Sequence, residues 1–166
     1  MRYYTIQNDL IIADKEEALT KFYSNVLPLP NDYVINKYIV QNGELVLNPD
    51  YEQEEAEQRE AEFKNKFFEI PNFGWFRKQP KGYSSAVESL NTAFNAVTIL
   101  QKLPANMLIF YQEPDFTKPE ECTEEWLIEH QIFNPEMSVQ EFGTFYMAFM
   151  TAWNTQEHEN ATIEEE

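Results

Sequence analysis

The sequence predicts an α+β protein: a small antiparallel β module at the N-terminus, an exposed acidic connecting helix and a helical C-terminal domain. Three observations predict it. Asn42-Gly43 sits between two short apolar runs, Asn48-Pro49 opens a long Glu-rich segment, and from Val139 onward bulky apolar residues recur at helical spacing.

In chain order, Arg2 to Gln7 and Leu10 to Ala13 read as short strands around Asn8-Asp9, on their β-branched and aromatic content. Asp14 is placed to cap a short helix, Lys15 to Tyr23, which Leu-Pro-Leu-Pro at 27–30 follows as a stop. Lys37 to Gln41 and Glu44 to Leu47 flank Asn42-Gly43, the pair that best accepts the positive φ of a type I′ hairpin turn. Asn48 then caps a helix with Pro49 at its first position, running to about Phe68. Its acids come first and Lys64 and Lys66 last, as the helix dipole prefers. Few apolar residues interrupt it before Phe63 and Phe67, so only its C-terminal end is expected to be buried.

Pro71 to Tyr83, with two prolines and two glycines, reads as mostly loop. Ser84 or Ser85 starts a helix to about Lys102, with Val87, Leu90, Ala93 or Phe94, Val97 and Leu100 on one face. Met107 to Tyr111 is a buried strand or extended segment. Lys118-Pro119 leads into a helix, Glu120 to His130, with Trp126 and Leu127 inward, and Asn134-Pro135 breaks the chain again. Ser138 and Glu141 form a capping box for a helix to about Asn154, whose wide face carries Phe142, Phe145, Tyr146, Phe149, Met150 and Trp153. The division that follows is a β-rich module over 1–47, a connecting helix over 48–68, a helical domain over 69–156 and a frayed acidic tail over 157–166.

Composition bounds the function. The chain has 166 residues, 43% of them hydrophobic, which is enough for a packed core, and a net charge of −17. No run approaches the roughly 18 apolar residues that span a bilayer. Met1 to Leu10 lacks the apolar core and small-residue cleavage site of a signal peptide. Cys122 is the single cysteine, so neither an intrachain disulfide nor a cysteine zinc cluster can form, in keeping with a reducing compartment. The negative surplus disfavours nucleic acid and anionic membrane as partners and favours a basic protein. The charge is uneven: Pro119 to Glu166 holds twelve acids and no Lys or Arg, and Asp50 to Glu62 holds seven acids and one Arg. Lys64, Lys66, Arg77, Lys78 and Lys81 form one basic island.

The segment Asn31 to Glu52, NDYVINKYIVQNGELVLNPDYE, resembles small proteins of tailed phages and prophages, in which such a hairpin precedes a Glu-rich helix and which are often encoded near tail-fibre genes. Phe73 to Asn95, FGWFRKQPKGYSSAVESLNTAFN, is similar to part of an uncharacterised phage or prophage group. The resemblance spans roughly the first 70 residues and a shorter stretch of the second half. It implies a phage origin, a non-enzymatic role and a location in the host cytoplasm or the virion.

The residues point the same way. There are two histidines, His130 and His158, no Gly-x-Ser-x-Gly turn, and a Cys122 whose acidic neighbours raise a thiol pKa. Glu125, Glu129 and His130 could begin a metal site, but no second ligand pair accompanies them. The reading is therefore a non-enzyme with no cofactor and no metal. The basic island interleaves with aromatics, which makes Trp75, Phe76, Arg77 and Lys78 candidate partner contacts; the alternative is that the rings are core and the cations pair with acids. The acidic helix offers a second candidate in Glu54, Glu57 and Glu60. Its seven acids fall within about 20 Å of helix, sparser than DNA's charge per about 1.7 Å but of the same order. Two functions follow: a tail-associated accessory protein that contacts a phage structural protein, or an acidic nucleic-acid mimic that inhibits a basic host defence nuclease in the manner of an anti-CRISPR protein.

Overall fold

The protein is α+β. The computed structural model describes the backbone of residues 1–164 and the side chains through Gln156. Contacts divide the chain inside its long acidic helix, into Met1–Glu55 and Ala56–Glu166.

In the first unit, β1 (Tyr3–Gln7) and β2 (Leu10–Asp14) form a hairpin with Gln7 opposite Leu10. Asn8 and Asp9 take the turn at φ 51 and 60, the left-handed region that Asn and Asp tolerate best among non-glycine residues. The short helix α1 (Glu16–Thr20) follows. It is shorter than expected, and its N-cap is Lys15; Asp14 accepts from the Lys15 N–H at 2.8 Å without capping the helix. The Leu-Pro-Leu-Pro stretch does more than stop structure, because β3 (Leu27–Pro28) pairs antiparallel with β1. The expected second hairpin is present as β4 (Tyr38–Gln41) and β5 (Glu44–Leu47), with Asn42 and Gly43 at φ 55 and 80. Asp32 anchors it by accepting from Lys37 Nζ at 2.7 Å and Tyr38 Oη at 2.8 Å, which holds its carboxyl below the usual range. Asn48 closes the hairpin and opens α2 (Tyr51–Lys66), its Oδ1 accepting from the Asp50 N–H. The buried residues of this unit are few: Thr5, Leu19 and Leu29.

The second unit is built on a sheet of which the sequence reading anticipated one strand, within Met107 to Tyr111. α2 ends at Lys66, and Phe67 and Phe68 belong to β6 (Phe67–Ile70), not to the helix. The segment read as loop contains β7 (Gly74–Arg77). Asn72, at φ 69, and Gly74, at φ 117, turn one strand into the other; a Cβ on Gly74 would also meet the Tyr111 carbonyl at 3.4 Å. α3 (Ala86–Leu100) starts at Ser85, whose side chain accepts from the Glu88 N–H. It stops two residues earlier than expected because Gln101 turns left-handed, and Lys102 enters β8 (Lys102–Leu103). β9 (Ile109–Tyr111) comes next. The helix expected over 120–130 is a 3-10 turn, Pro119–Cys122, then α4 (Glu124–Glu129). β10 (Gln131–Phe133), β11 (Met137–Ser138) and α5 (Val139–Glu164) complete the chain. The helical backbone of α5 thus runs through most of the expected tail; Glu165 and Glu166 lie outside the described residues.

The sheet is antiparallel throughout, in the order β10-β9-β7-β6, and β8 pairs separately with β11. Side chains alternate across it. Phe68, Ile70, Phe76 and Phe110 pack on one face with α3 and α5, around Leu90, Phe145 and Phe149. Phe67 and Tyr111 pack on the other with Phe63 of α2 and Leu127 of α4. Aromatic rings knit both layers: Phe149 lies 5.3 Å from Phe68 and 5.4 Å from Phe76, edge to face, and Phe63 stacks on Phe67 at 4.4 Å. Asn134, read from sequence only as a break, is a buried staple. Its Oδ1 accepts from the Leu108 N–H, and its Nδ2 donates to the carbonyls of Pro104 and Pro135.

Two outcomes follow. Phe149 is fully buried, so Phe149→Ala removes a ring from the centre of this layer; it should lower unfolding stability by about 3–5 kcal/mol in chemical denaturation. The boundary at residue 69 cuts β6 and discards the buried Phe67 and Phe68. A chain of residues 56–166 should therefore melt cooperatively, and one of residues 69–166 should not.

Candidate interaction surface

The sequence candidates of the second unit are not brought to one surface. Phe76 is 2% exposed and belongs to the core, so it is corrected from partner contact to packing residue. Arg77 is consumed internally. Its guanidinium lies over the Phe67 ring at 4.9 Å and the Tyr111 ring at 5.0 Å, Nε donates to Tyr111 Oη, and Nη2 pairs with Glu124. Lys78 is partly buried at the end of β7, and that burial pushes its ammonium pKa down. Trp75 packs against Phe63 at 5.0 Å but keeps an open side. On α2, Glu54 and Glu57 are exposed, while Glu60 is half-buried and pairs with Lys64. The basic island is thus divided among packing, ion pairs and separate surfaces, as the alternative reading anticipated for its rings.

The groups weighed for chemistry are occupied as well. Burial is the main cause that raises the Cys122 thiol pKa; Arg59 opposes it, and Glu121, Asp115 and Glu120 add to it. His130 stacks on Trp126 at 4.0 Å, with Nδ1 2.9 Å from the Trp126 carbonyl. Among the described residues no three acidic, histidine or cysteine side chains gather as a metal site.

The surface that stands out is the outer side of α5, which the sequence reading treated only as the back of a core helix. From Phe142 to Gln156 the helix carries no charged residue, in a chain of net charge −17. Its exposed positions include Val139, Gly143, Thr144, Met147, Thr151, Asn154 and Thr155. The threonine hydroxyls turn inward: Thr144 donates to the Gln140 carbonyl at 3.3 Å, Thr151 to Met147 and Thr155 to Thr151, both at 2.9 Å. Thus bonded, these residues present little free polarity to solvent. Met147 is 65% exposed and stands between two hollows. One, of about 670 Å³, separates α5 from the free edge of β6 and is lined by Trp75, Met147 and Thr151, with Lys64 and Glu69 at hand. The other, of about 470 Å³, lies between α3 and α5. Phe94, Val97, Thr98 and Gln101 line it from α3, and Val139, Phe142, Gly143 and Tyr146 from α5. Both sets follow the i, i+3, i+4, i+7 spacing of a helix face, and none of these residues is charged.

A comparison with known protein families, with curated proteins and with solved structures finds no match to this chain.

Gly143 marks the hollow between α3 and α5. A Cβ there would meet nothing within 4 Å, and its backbone is ordinary helix. Gly143→Ala should therefore stabilise the protein by about 0.5–1 kcal/mol, read from its denaturation midpoint.

Proposed function

We propose that the protein is a non-catalytic accessory protein of the tailed-phage kind its sequence resembles, acting through protein contacts on the outer side of α5. One observation carries the reading: an exposed helix face with no charge over Phe142–Gln156 and Met147 standing out from it, in a chain of net charge −17. Solvated helices in acidic proteins carry charge on their outer positions. Depletion of charge beside hollows with apolar walls is a mark of a protein interface core. Trp75, beside Met147 in the larger hollow, joins this surface as an aromatic anchor. The partner this reading expects is a phage structural protein, tail-associated by the company such proteins keep.

A second reading, inhibition of a basic host nuclease by acidic mimicry, is favoured by the exposure of Glu54 and Glu57 on α2. One experiment separates the two. The protein, a Met147→Glu variant and a Glu54→Lys/Glu57→Lys/Glu60→Lys variant serve as baits in lysate of infected host cells. Both variants should stay folded, because Met147 is exposed and Lys and Glu are similar helix formers. The α5 reading expects a protein retained by wild type and by the charge reversal and lost with Met147→Glu. The converse pattern, with retention that falls as salt rises, establishes mimicry in its place.

A further inference from the structure

We propose that the second unit holds a binding site for a monocarboxylate with an apolar body, in a cleft between β7 and β9. The two strands are in register at a single pair, Trp75 opposite Tyr111, and the pairing does not continue to Arg77 and Ile109. A cavity of about 360 Å³ opens beside that end of the strands, with the loop from Gln79 to Tyr83 and one side of α3 as further walls. Its size is at the lower end of the roughly 300–1,000 Å³ of small-molecule sites.

Two buried residues with hydroxyls, Tyr111 and Ser89, line this cavity. Tyr111 is 6% exposed, and its hydroxyl accepts from Arg77 Nε at 3.1 Å and from Gln131 Nε2 at 3.2 Å. A tyrosine hydroxyl offers two lone pairs and one proton, so the proton is left to donate, and no acceptor for it is seen among the described residues. Ser89, also 6% exposed, lines the same cavity, and its hydroxyl makes no hydrogen bond among the described residues, unlike those of Thr92 and Thr98, which bond back to α3. Arg77 Nη2 is held by Glu124, and no acceptor for Nη1 is seen among the described residues. Lys81, exposed on the loop, completes the set and has no carboxylate partner among the described residues. A hydroxyl that faces the cavity without a protein acceptor is free to donate to a ligand oxygen there.

Charge selects the class of ligand. Arg77 and Lys81 against Glu124 leave the cavity one positive charge in excess, which a single carboxylate neutralises. A phosphate dianion would exceed it and face Glu124. The remaining walls, among them Phe76, Met107, Ile109 and Ile128, suit an apolar body. A free organic acid and the C-terminal carboxylate of a peptide ending in an apolar residue share this chemistry.

The test is a titration of the full-length, 15N-labelled protein with sodium phenylacetate and with a tetrapeptide ending in a free Phe carboxylate. Phenylacetamide and the amidated peptide are the controls. Saturable shifts are expected at Ser89, Tyr111, Gln131 and the Arg77 Nε–H, with a dissociation constant on the order of millimolar or tighter for at least one acid and none for its amide. Ser89→Ala, in a helix, and Lys81→Gln, on an exposed loop, keep the fold; each should weaken binding by about threefold to tenfold, the loss of one hydrogen bond. The acid that binds more tightly identifies the source of the carboxylate. No saturation by either acid at about 10 mM, equal binding of the amides, or affinity unchanged in both variants overturns the proposal.

Discussion

A four-stranded sheet buried on both faces is the constraint on which the second unit depends. Successive residues of β6 and β7 enter different layers, Phe67 and Arg77 on one side, Phe68 and Phe76 on the other. A slip of one residue would send the Arg77 guanidinium into the phenylalanine layer around Phe149 and leave Phe76 against Glu124. Register is therefore fixed by charge as well as by apolar burial. The same alternation explains the position of Arg77. It lies directly opposite Phe67, so its planar cation covers that ring and the neighbouring Tyr111 ring, and its nitrogens reach Tyr111 Oη and Glu124. A residue that looks like a surface contact in sequence thus becomes part of the scaffold, and it also lines the cleft beside β9.

What was legible in the sequence was local. Asn42-Gly43 specifies a hairpin because both residues must take positive φ, and the Ser138–Glu141 box starts α5 because its two bonds close within four residues. Beyond β9 the sheet was not legible, for a physical reason. Phe67-Phe68-Glu69-Ile70 is buried on both faces, so it lacks the alternation that marks a half-buried strand, and its pattern continues that of α2. The pairing of β7 with β9 joins Trp75 to Tyr111 across the whole of α3, beyond any local signal. The cleft was hidden by the same distance. Arg77 was singled out for its type, but Glu124, Gln131 and Ser89 are ordinary residues until the fold gathers them.

The acidic character of the chain also needs to be placed. Pro119 to Glu166 has no base, which in sequence reads as an acidic C-terminal third. Its acids, however, lie on either side of Phe142–Gln156 and not within it. The fold turns that gap into a surface, since α5 buries Phe142, Phe145 and Phe149 and leaves the uncharged side outward. Between copies of a chain this negative, repulsion keeps most surfaces apart, and a neutral face is where that repulsion is least.

Folding alone gives no reason for that face. Exposed helix positions are the cheapest places to carry Glu, Lys or Ala, which are better helix formers than Thr or Gly. α5 instead carries Gly143, with no steric or backbone need for glycine, at about 1 kcal/mol against alanine. Thr144, Thr151 and Thr155 each forgo up to about 0.7 kcal/mol, and Met147 holds apolar surface in water at 65% exposure. Together the choices give up roughly 2–3 kcal/mol, a substantial fraction of a typical domain's net stability. The core does not recover that loss, because these side chains point away from it. A face that weakens its own helix, stays uncharged in an acidic chain and lies between two hollows is better explained by a contact that the isolated chain lacks than by the packing of the chain itself.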